Sequence, residues 1–174
     1  MNQVILVDSQ DQAIGVADKL EAHQQGWLHR AFSVFVTRQQ NQQLEILMQQ
    51  RQINKYHGGG LWTNTCCSHP QPEESVINAA ERRLQEELGF TVPLTEIGVF
   101  TYRAEFSNGL IEHEVDHVLI GEFNNNLEIK PNVNEVMSYR WLTLADAAHE
   151  YRLNSAAFTP WFAEALALVK KHYS

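Results

Sequence analysis

Short runs rich in apolar residues, separated by polar segments, predict several β-strands. The runs are "VILVD" (4–8), "RAFSVFVT" (30–37), "LEILMQQR" (44–51) and "MSYRWLTL". The polar stretch 38–43 separates the second run from the third and predicts a hairpin. A second hairpin is predicted where "GVFTYRAEF" and "IEHEVDHVLIGEF" flank "SNGL", because Asn108 and Gly109 both tolerate the positive φ of a tight turn.

Two other segments carry helical periodicity. In residues 74–88 apolar side chains recur at three- and four-residue spacing, and Gly89 then ends the helix. The apolar residues of this first helix, which form one stripe, are Ile77, Ala80, Leu84 and Leu88. A second helix is predicted from about Ala157 to His172. Strands mixed with helices predict an α/β (α+β) fold, in which a mostly antiparallel or mixed β-sheet is flanked by helices.

Length and composition narrow the class of protein. The 174 residues suit one domain spanning 1–174. No apolar run reaches the roughly 18 residues of a membrane span, and the N-terminus lacks a secretory pattern. Cys66 and Cys67 are adjacent, which predicts reduced thiols in the cytoplasm. A net charge of −8 argues against nucleic-acid or membrane binding, so an anionic substrate would need local cations or metal ions.

The first helix carries a charged face. Arg82 and Glu86 are four residues apart, as are Arg83 and Glu87, so both are expected to pair. Such a pattern usually indicates a solvent-exposed helix face with salt bridges. The stretch from Ser68 to Phe90 nevertheless resembles the Nudix box, G-x5-E-x7-R-E-U-x-E-E-x-G-U. The matching residues are Glu74, Arg82, Glu86, Glu87, Gly89 and Phe90.

Two positions depart from that box. Ser68 replaces the leading glycine, and Arg83 replaces the glutamate after the arginine. In Nudix hydrolases the clustered glutamates hold the metal ions that activate water, so a cation at this position disfavours hydrolysis. Arginine suits phosphate oxygens, and the change therefore favours a diphosphate that is held rather than cut.

The motif "CCSHP" places Cys67 and His69 on the same side of an extended chain. A buried thiol is the commoner meaning of a single cysteine, and this meaning is retained for Cys66. A zinc pair is a second reading of Cys67 and His69, although no second cysteine pair completes a structural site. A general acid or base is the third reading, with a thiol whose unperturbed pKa is near 8.5.

In "IEHEVDHV" the carboxylates of Glu112, Glu114 and Asp116 share one strand face. They repel one another unless cations lie between them, so a metal site and a solvated face are both open. His113 and His117 are expected on the outer face. A site of three nitrogens and two oxygens, which suits Zn, Fe, Mn or Mg, could be formed by His23, His29, His69, Glu112 and Glu114.

Taken together, these stretches resemble type 1 isopentenyl-diphosphate isomerase of the Nudix superfamily, from about Val4 to Trp161. The most specific parts are "WTNTCCSHP", "RRLQEELG", "YRA", "EHEVDH" and "FTPW". The resemblance implies a Nudix-like fold and the interconversion of isopentenyl and dimethylallyl diphosphate through a tertiary carbocation. It also implies that Cys67 and Glu114 are the acid and base, that Tyr102 assists Glu114, and that the ring of Trp161 stabilises the cation.

The same resemblance assigns the ligands. It implies a metal ion (Mn²⁺, Mg²⁺ or Zn²⁺) at His23, His29, His69, Glu112 and Glu114. It also implies Mg²⁺ between the diphosphate, Glu87 and the backbone carbonyl of Cys67. The cations expected to bind diphosphate are Lys19, Arg51, Lys55 and Arg83, of which Arg51 and Lys55 precede the glycine turn 58–60.

Two other functions would each explain part of the pattern. A nucleotide pyrophosphohydrolase would explain the first helix, but it would leave "CCSHP" and "EHE" without a role, and Arg83 counts against it. A non-enzymatic metal-binding module would explain the histidines but not the neighbouring cations. The partner expected is a small diphosphate, and the chain is expected to be a monomer or a homodimer.

Overall fold

The computed structural model describes residues 2–55 and 57–174. Within them, nine strands belong to one mixed sheet. In chain order they are β1 (Gln3–Val7), β2 (Ala13–Asp18), β3 (His29–Gln40), β4 (Gln43–Arg51), β5 (Trp62–Thr63), β6 (Cys66–Ser68), β7 (Thr95–Glu105), β8 (Ile111–Glu122) and β9 (Val136–Thr143).

Helices cover the sheet. They are α1 (Lys19–Gln25), α2 (Val76–Leu88), α3 (Leu144–Leu153) and α4 (Phe162–His172), with a 3-10 turn at Ser155–Ala157. No helix of the described chain is both long and apolar enough to cross a membrane.

Strand β3 lies at the centre of the sheet. It pairs in parallel with β8, and on its other edge antiparallel with β6 and β4. Its alternating side chains face two separate cores. Val34 and Val36 pack in the core under α2, whereas Phe35 packs in the core under α3 and α4. This arrangement confirms the predicted mixed sheet flanked by helices.

Both predicted hairpins are present. Strands β7 and β8 pair antiparallel around the turn that contains Gly109. Strands β3 and β4 also pair, but the loop is shorter than the predicted 38–43, because Gln40 already lies opposite Gln43. Asn41 and Gln42 take up the turn with φ of 52° and 65°, as a two-residue turn of the I′ type requires.

The two predicted helices begin later than expected. The first was expected at 74 but begins at Val76, because extended Ser75 accepts a hydrogen bond from the Asn78 backbone N–H and caps the helix. The second was expected from Ala157 but begins at Phe162. Pro160 disfavours helical backbone at the residue before it, and Ala157 belongs to the short 3-10 turn instead.

One residue of the predicted apolar stripe is not in the core. Ile77 lies in the first turn of α2 and is 38% exposed, whereas Ala80, Leu84 and Leu88 are fully buried. The predicted apolar stripe is therefore confirmed for Ala80, Leu84 and Leu88, but not for Ile77. Helices α1 and α3 and strands β2, β5 and β6 were not predicted.

Candidate active site

One pocket collects most of the predicted site residues. Its empty volume is about 540 Å³, open solvent included. It is lined by Lys19, Phe32, Arg51, Lys55, His57, Cys67, Ser68, His69, Arg83, Glu112, Glu114, Asp116 and Trp161. These residues come from β3, β4, β6, β8, α1, α2 and the connecting loops, so the pocket exists only once the whole sheet has formed.

Cys67 lies on β6 opposite Ser33 of β3. Its Sγ lies 3.1 Å from the Asn64 side-chain oxygen and 3.1 Å from the Trp161 indole nitrogen. Burial and the nearby charge of Asp116 raise the pKa of the Cys67 thiol to about 12. The sulfur is therefore protonated at neutral pH and can donate a proton.

Trp161 lies immediately before α4, and its side chain is almost completely buried. The indole N–H is shared between Cys67 Sγ at 3.1 Å and the Asn64 oxygen at 3.2 Å. The guanidinium of Arg51 lies 5.7 Å from the ring centroid. The ring is thus held beside the thiol and close to a cation, within the approximately 6 Å at which cations are attracted to aromatic faces.

Glu114 is the most heavily bonded carboxylate of the pocket. One oxygen lies 3.0 Å from His29 Nε2 and 2.6 Å from His69 Nε2, and the other accepts a hydrogen bond from the Tyr102 hydroxyl. Burial alone would raise the pKa of Glu114, but the neighbouring His69 and His29 hold it well below the usual range. Glu114 is therefore ionised and can accept a proton.

Tyr102 connects Glu114 with Glu112. Its hydroxyl contacts Glu114 and also lies 3.0 Å from a Glu112 oxygen. Burial and the charges of Glu112 and Glu114 raise the pKa of Tyr102 well above its ordinary value. The phenol keeps its proton and serves as a hydrogen-bond donor to the carboxylates.

Three histidines converge on Glu114. Ligand atoms of His23, His29, His69 and Glu114 all lie within 4.8 Å of one another. Nδ1 of His23 lies 2.6 Å from the Lys19 carbonyl, and Nδ1 of His29 lies 2.9 Å from the Trp27 carbonyl. A carbonyl can only accept, so both Nδ1 atoms carry hydrogen and both Nε2 atoms are left to face the cluster.

This donor set fits a divalent metal ion. Burial lowers the pKa of His23 to about 4 and that of His69 to about 3, so both rings are neutral. Burial also acts on His29, but the Glu114 carboxylate outweighs it and raises the pKa of that ring. Neutral imidazole nitrogens and carboxylate oxygens converging in a buried space are the ligands that Zn²⁺ and Mn²⁺ accept.

Four cationic side chains, Lys19, Arg51, Lys55 and Arg83, also line the pocket. Burial, and then the charges of Lys55, Arg51 and Arg83, lower the pKa of Lys19. Cations that depress one another in this way are stabilised by an anion among them. The cluster is therefore suited to a diphosphate.

The charged face of α2 pairs as predicted. Arg82 Nη1 lies 3.1 Å from Glu86, and Arg83 Nη2 lies 2.9 Å from Glu87. Arg82 also binds Glu74. Glu87 further accepts from the Gln49 amide and the Cys66 thiol, which is fully buried as expected.

His113 and His117 lie outside the pocket, as predicted. Nδ1 of His113 lies 3.1 Å from the Gly26 carbonyl. His117 lies between Glu96 and Asp11 on the other side of β8.

Several residues of the site were missed from the sequence. His57 reaches Glu112, Asn64 binds both Cys67 and Trp161, Ser33 binds Asp116, and Glu135 binds Lys55 and Arg83. Burial and the charge of Glu114 raise the pKa of Asp116 well above its usual range. A histidine directly before the glycine turn was the one signal in the sequence that could have drawn attention to His57.

The chain is similar in sequence to known proteins of one family. The NUDIX domain family matches residues 27–162. The isopentenyl-diphosphate Delta-isomerase of Photobacterium profundum is 50% identical over 169 residues, which are 96% of this chain and 93% of the relative. That of Burkholderia multivorans is 44% identical over 92% of this chain and 88% of the relative.

A solved structure supports the fold. DR0079 from Deinococcus radiodurans superposes with a TM-score of 0.74 at 15% identity, and the match covers 95% of this chain and 97% of that protein. At this identity the likeness concerns the fold alone.

Proposed function

The chain belongs to the isopentenyl-diphosphate Delta-isomerases of the NUDIX domain family, and from this premise we propose a role for each group in the pocket. The enzyme interconverts isopentenyl diphosphate and dimethylallyl diphosphate in isoprenoid biosynthesis. The reaction adds a proton to one carbon of an alkene, forms a tertiary carbocation, and removes a proton from another carbon. It therefore needs two acid/base groups and a site that stabilises a cation.

Cys67 and Glu114 are the two acid/base groups of the proposal. Both line the pocket, the thiol holds its proton at neutral pH, and the carboxylate is ionised. One of the two groups protonates the alkene, and the other removes a proton from a different carbon. Because the reaction is reversible, the two groups exchange these roles between its two directions. The Tyr102 hydroxyl, which contacts Glu114, orients that carboxylate and donates a hydrogen bond to it.

Trp161 stabilises the carbocation. Its ring is desolvated and its N–H bonds to Cys67 Sγ, so the ring is held directly beside the thiol. Cation–π attraction at a desolvated site is worth about 2 kcal/mol or more. Because the cation exists only during the reaction, this attraction lowers the barrier directly.

Lys19, Arg51, Lys55 and Arg83 hold the diphosphate. Arg83 replaces a metal-binding glutamate of Nudix hydrolases, which supports binding of the diphosphate rather than its cleavage. Glu135, bonded to Lys55 and lying 3.6 Å from Arg83, keeps these side chains in place before the substrate arrives.

Metal ions complete the proposal. NUDIX enzymes use divalent metals, and the cluster at His23, His29, His69 and Glu114 can bind one. We assign Mn²⁺, Mg²⁺ or Zn²⁺ to that cluster, with Glu112 as a further ligand. An ion there would supply positive charge that sets the proton affinity of Glu114. Mg²⁺ bound to Glu87 and the Cys67 carbonyl would carry the diphosphate, since Mg²⁺ prefers oxygen ligands.

The remaining proposals concern the chain as a whole. Residues 1–174 form a single catalytic domain, and two cores packed on the faces of one sheet support this. Two free cysteines support a cytoplasmic location.

The observation that carries these roles is the pocket that Cys67, Trp161 and Glu114 share with four cationic side chains. The neighbouring thiol gives a matched test, because Cys66 is buried in the core and faces away from the pocket. We expect Cys67→Ala to lose isomerisation by at least about 1,000-fold, since an acid/base group is removed. Cys66→Ala should keep most of the activity.

The measurement is kcat for both variants, with circular dichroism and metal analysis as controls. Retained turnover in a folded, metal-loaded Cys67→Ala protein would refute the role of Cys67.

A further inference from the structure

His57 is a buried histidine on a surface loop. It lies in the turn between β4 and β5, yet only 6% of it is exposed. Its Nε2 lies 2.7 Å from Glu112 Oε2. The His57 ring stacks on the His23 ring, with centroids 4.9 Å apart and an interplanar angle of 26°. Its centroid also lies 5.5 Å from the centroid of the Phe106 ring. The side chain is therefore held in the metal cluster by packing.

His57 contacts Glu112 in the same way as two proposed metal ligands, His29 and His69, contact Glu114. His29 and His69 place Nε2 at 3.0 and 2.6 Å from Glu114, and His57 places Nε2 at 2.7 Å from Glu112. The two carboxylates lie on the same face of β8 and are joined by the Tyr102 hydroxyl. Each carboxylate thus has imidazole nitrogens directed at it.

The distances suit a shared ion. Ligand atoms of His23, His57 and Glu112 lie within 4.8 Å of one another, and all three residues are buried. His23 Nε2 and Glu112 Oε2 are 3.9 Å apart. Metal bonds of about 2.0–2.2 Å place the ligands of one ion roughly 3 to 4.4 Å apart, so small adjustments bring all three into coordination.

We propose that His57 is a further ligand of this centre, and that its Nε2 coordinates the same divalent cation as His23, His29, His69 and Glu114, on the side where Glu112 lies. The centre then contains four histidines instead of the three predicted from the sequence. This inference rests on the metal centre proposed above. It also ties the loop that carries Lys55 to the metal, because His57 lies two residues further along and its carbonyl accepts a hydrogen bond from Arg51.

The competing role for His57 is that of a hydrogen-bond donor that only orients Glu112. Metal affinity does not separate the two roles, because loss of such an orienting group also costs about 10–100-fold. The number of coordinated imidazoles does separate them. Glutamine is the discriminating substitution, since its amide N–H can still donate to Glu112.

The experiment loads metal-free protein with Co²⁺ and records proton NMR in H₂O. A histidine bound through Nε2 keeps a proton on Nδ1, and the paramagnetic ion shifts that signal far outside the normal range. We expect His57→Gln to lose one shifted, exchangeable signal while the others remain. His149→Gln is the matched control, because His149 is exposed on α3, and it should lose none.

The outcomes are distinct. Loss of all shifted signals in a folded His57→Gln protein also supports ligation, because the hydrogen bond to Glu112 is preserved in this variant. An unchanged number of signals overturns the assignment of His57 and leaves the metal centre standing. If the unsubstituted protein shows no shifted signal, the metal centre itself is refuted, and the ligation by His57 with it.

Discussion

At the scale of single residues, the chemistry depends on burial. Cys66 and Cys67 are adjacent, but Cys66 Sγ lies in the core against Glu87 and Cys67 Sγ faces the pocket. Because the two side chains point to opposite sides of β6, one thiol is packed in the core and the other faces the pocket. The sequence could not separate them without the "CCSHP" resemblance.

The protonation of Cys67 leads to a first prediction. Its raised pKa, about 12, means that the thiolate is scarce at neutral pH. In metal-free Cys66→Ala protein we expect the iodoacetamide reaction of Cys67 to accelerate about tenfold per pH unit up to pH ~10, whereas an ordinary thiol levels off near its pKa of about 8.5. Mass spectrometry follows the modification, and a plateau between pH ~8 and ~9 would contradict the raised pKa.

The raised pKa of Cys67 also makes the stability of the folded protein depend on pH. Between about pH 8.5 and 12 the folded chain keeps a proton that the unfolded chain releases. The contribution of Cys67 to stability is therefore complete below pH ~8.5 and decreases as the pH rises above it.

Trp161 gives a second prediction at this scale. Trp161→Phe keeps an aromatic face for the cation but loses the N–H to Cys67. Trp161→Ala loses both. We expect Ala to reduce kcat about 30-fold more than Phe, which corresponds to the roughly 2 kcal/mol of a desolvated cation–π contact. Equal kcat values in the two variants would remove the cation–π role.

At the scale of elements, the C-terminal end of α2 fixes the position of the helix that carries Arg83 and Glu87. The helix ends at Gly89, which has φ 77° and whose N–H bonds to the Gln85 carbonyl. A Cβ at Gly89 would lie 2.7 Å from Lys130 Cβ and 2.8 Å from the Lys130 carbonyl oxygen. The end of the helix is therefore fixed both by backbone conformation and by the loop packed against it.

This arrangement predicts a difference between two glycines. Gly109→Ala meets the same kind of positive φ (86°) but open space, so it should cost about 1 kcal/mol. Gly89→Ala adds steric overlap and should lower the free energy of unfolding by about 2–4 kcal/mol. Urea unfolding measures both, and equal losses would show that the packing against Lys130 has no effect.

At the scale of the whole molecule, local patterns predicted most of the fold. The apolar-rich runs of β3, β4 and β9, the alternation in β8 and the turn at Asn108–Gly109 depend only on residues close together in the chain. The helix from Ala157 was placed too early, because apolar spacing does not register the effect of Pro160 on the residues before it. The short α1 and strands β5 and β6 carry too few residues for periodicity to be visible.

The site was less accessible from local patterns. Cys67, Tyr102 and Glu114 come from β6, β7 and β8, and only the resemblance to a known family brought these three together. His57 and Asn64 reach the pocket from loops whose course is set by tertiary contacts. Such residues have no periodicity of their own, which is why the sequence did not assign them.

The central claim is proton transfer to and from carbon without cleavage of the diphosphate. Its most direct test is proton NMR of the unmodified enzyme with isopentenyl diphosphate and Mg²⁺ in D₂O. The account predicts dimethylallyl diphosphate with deuterium in a methyl group, and no released phosphate. Release of phosphate, or product without deuterium, would contradict it.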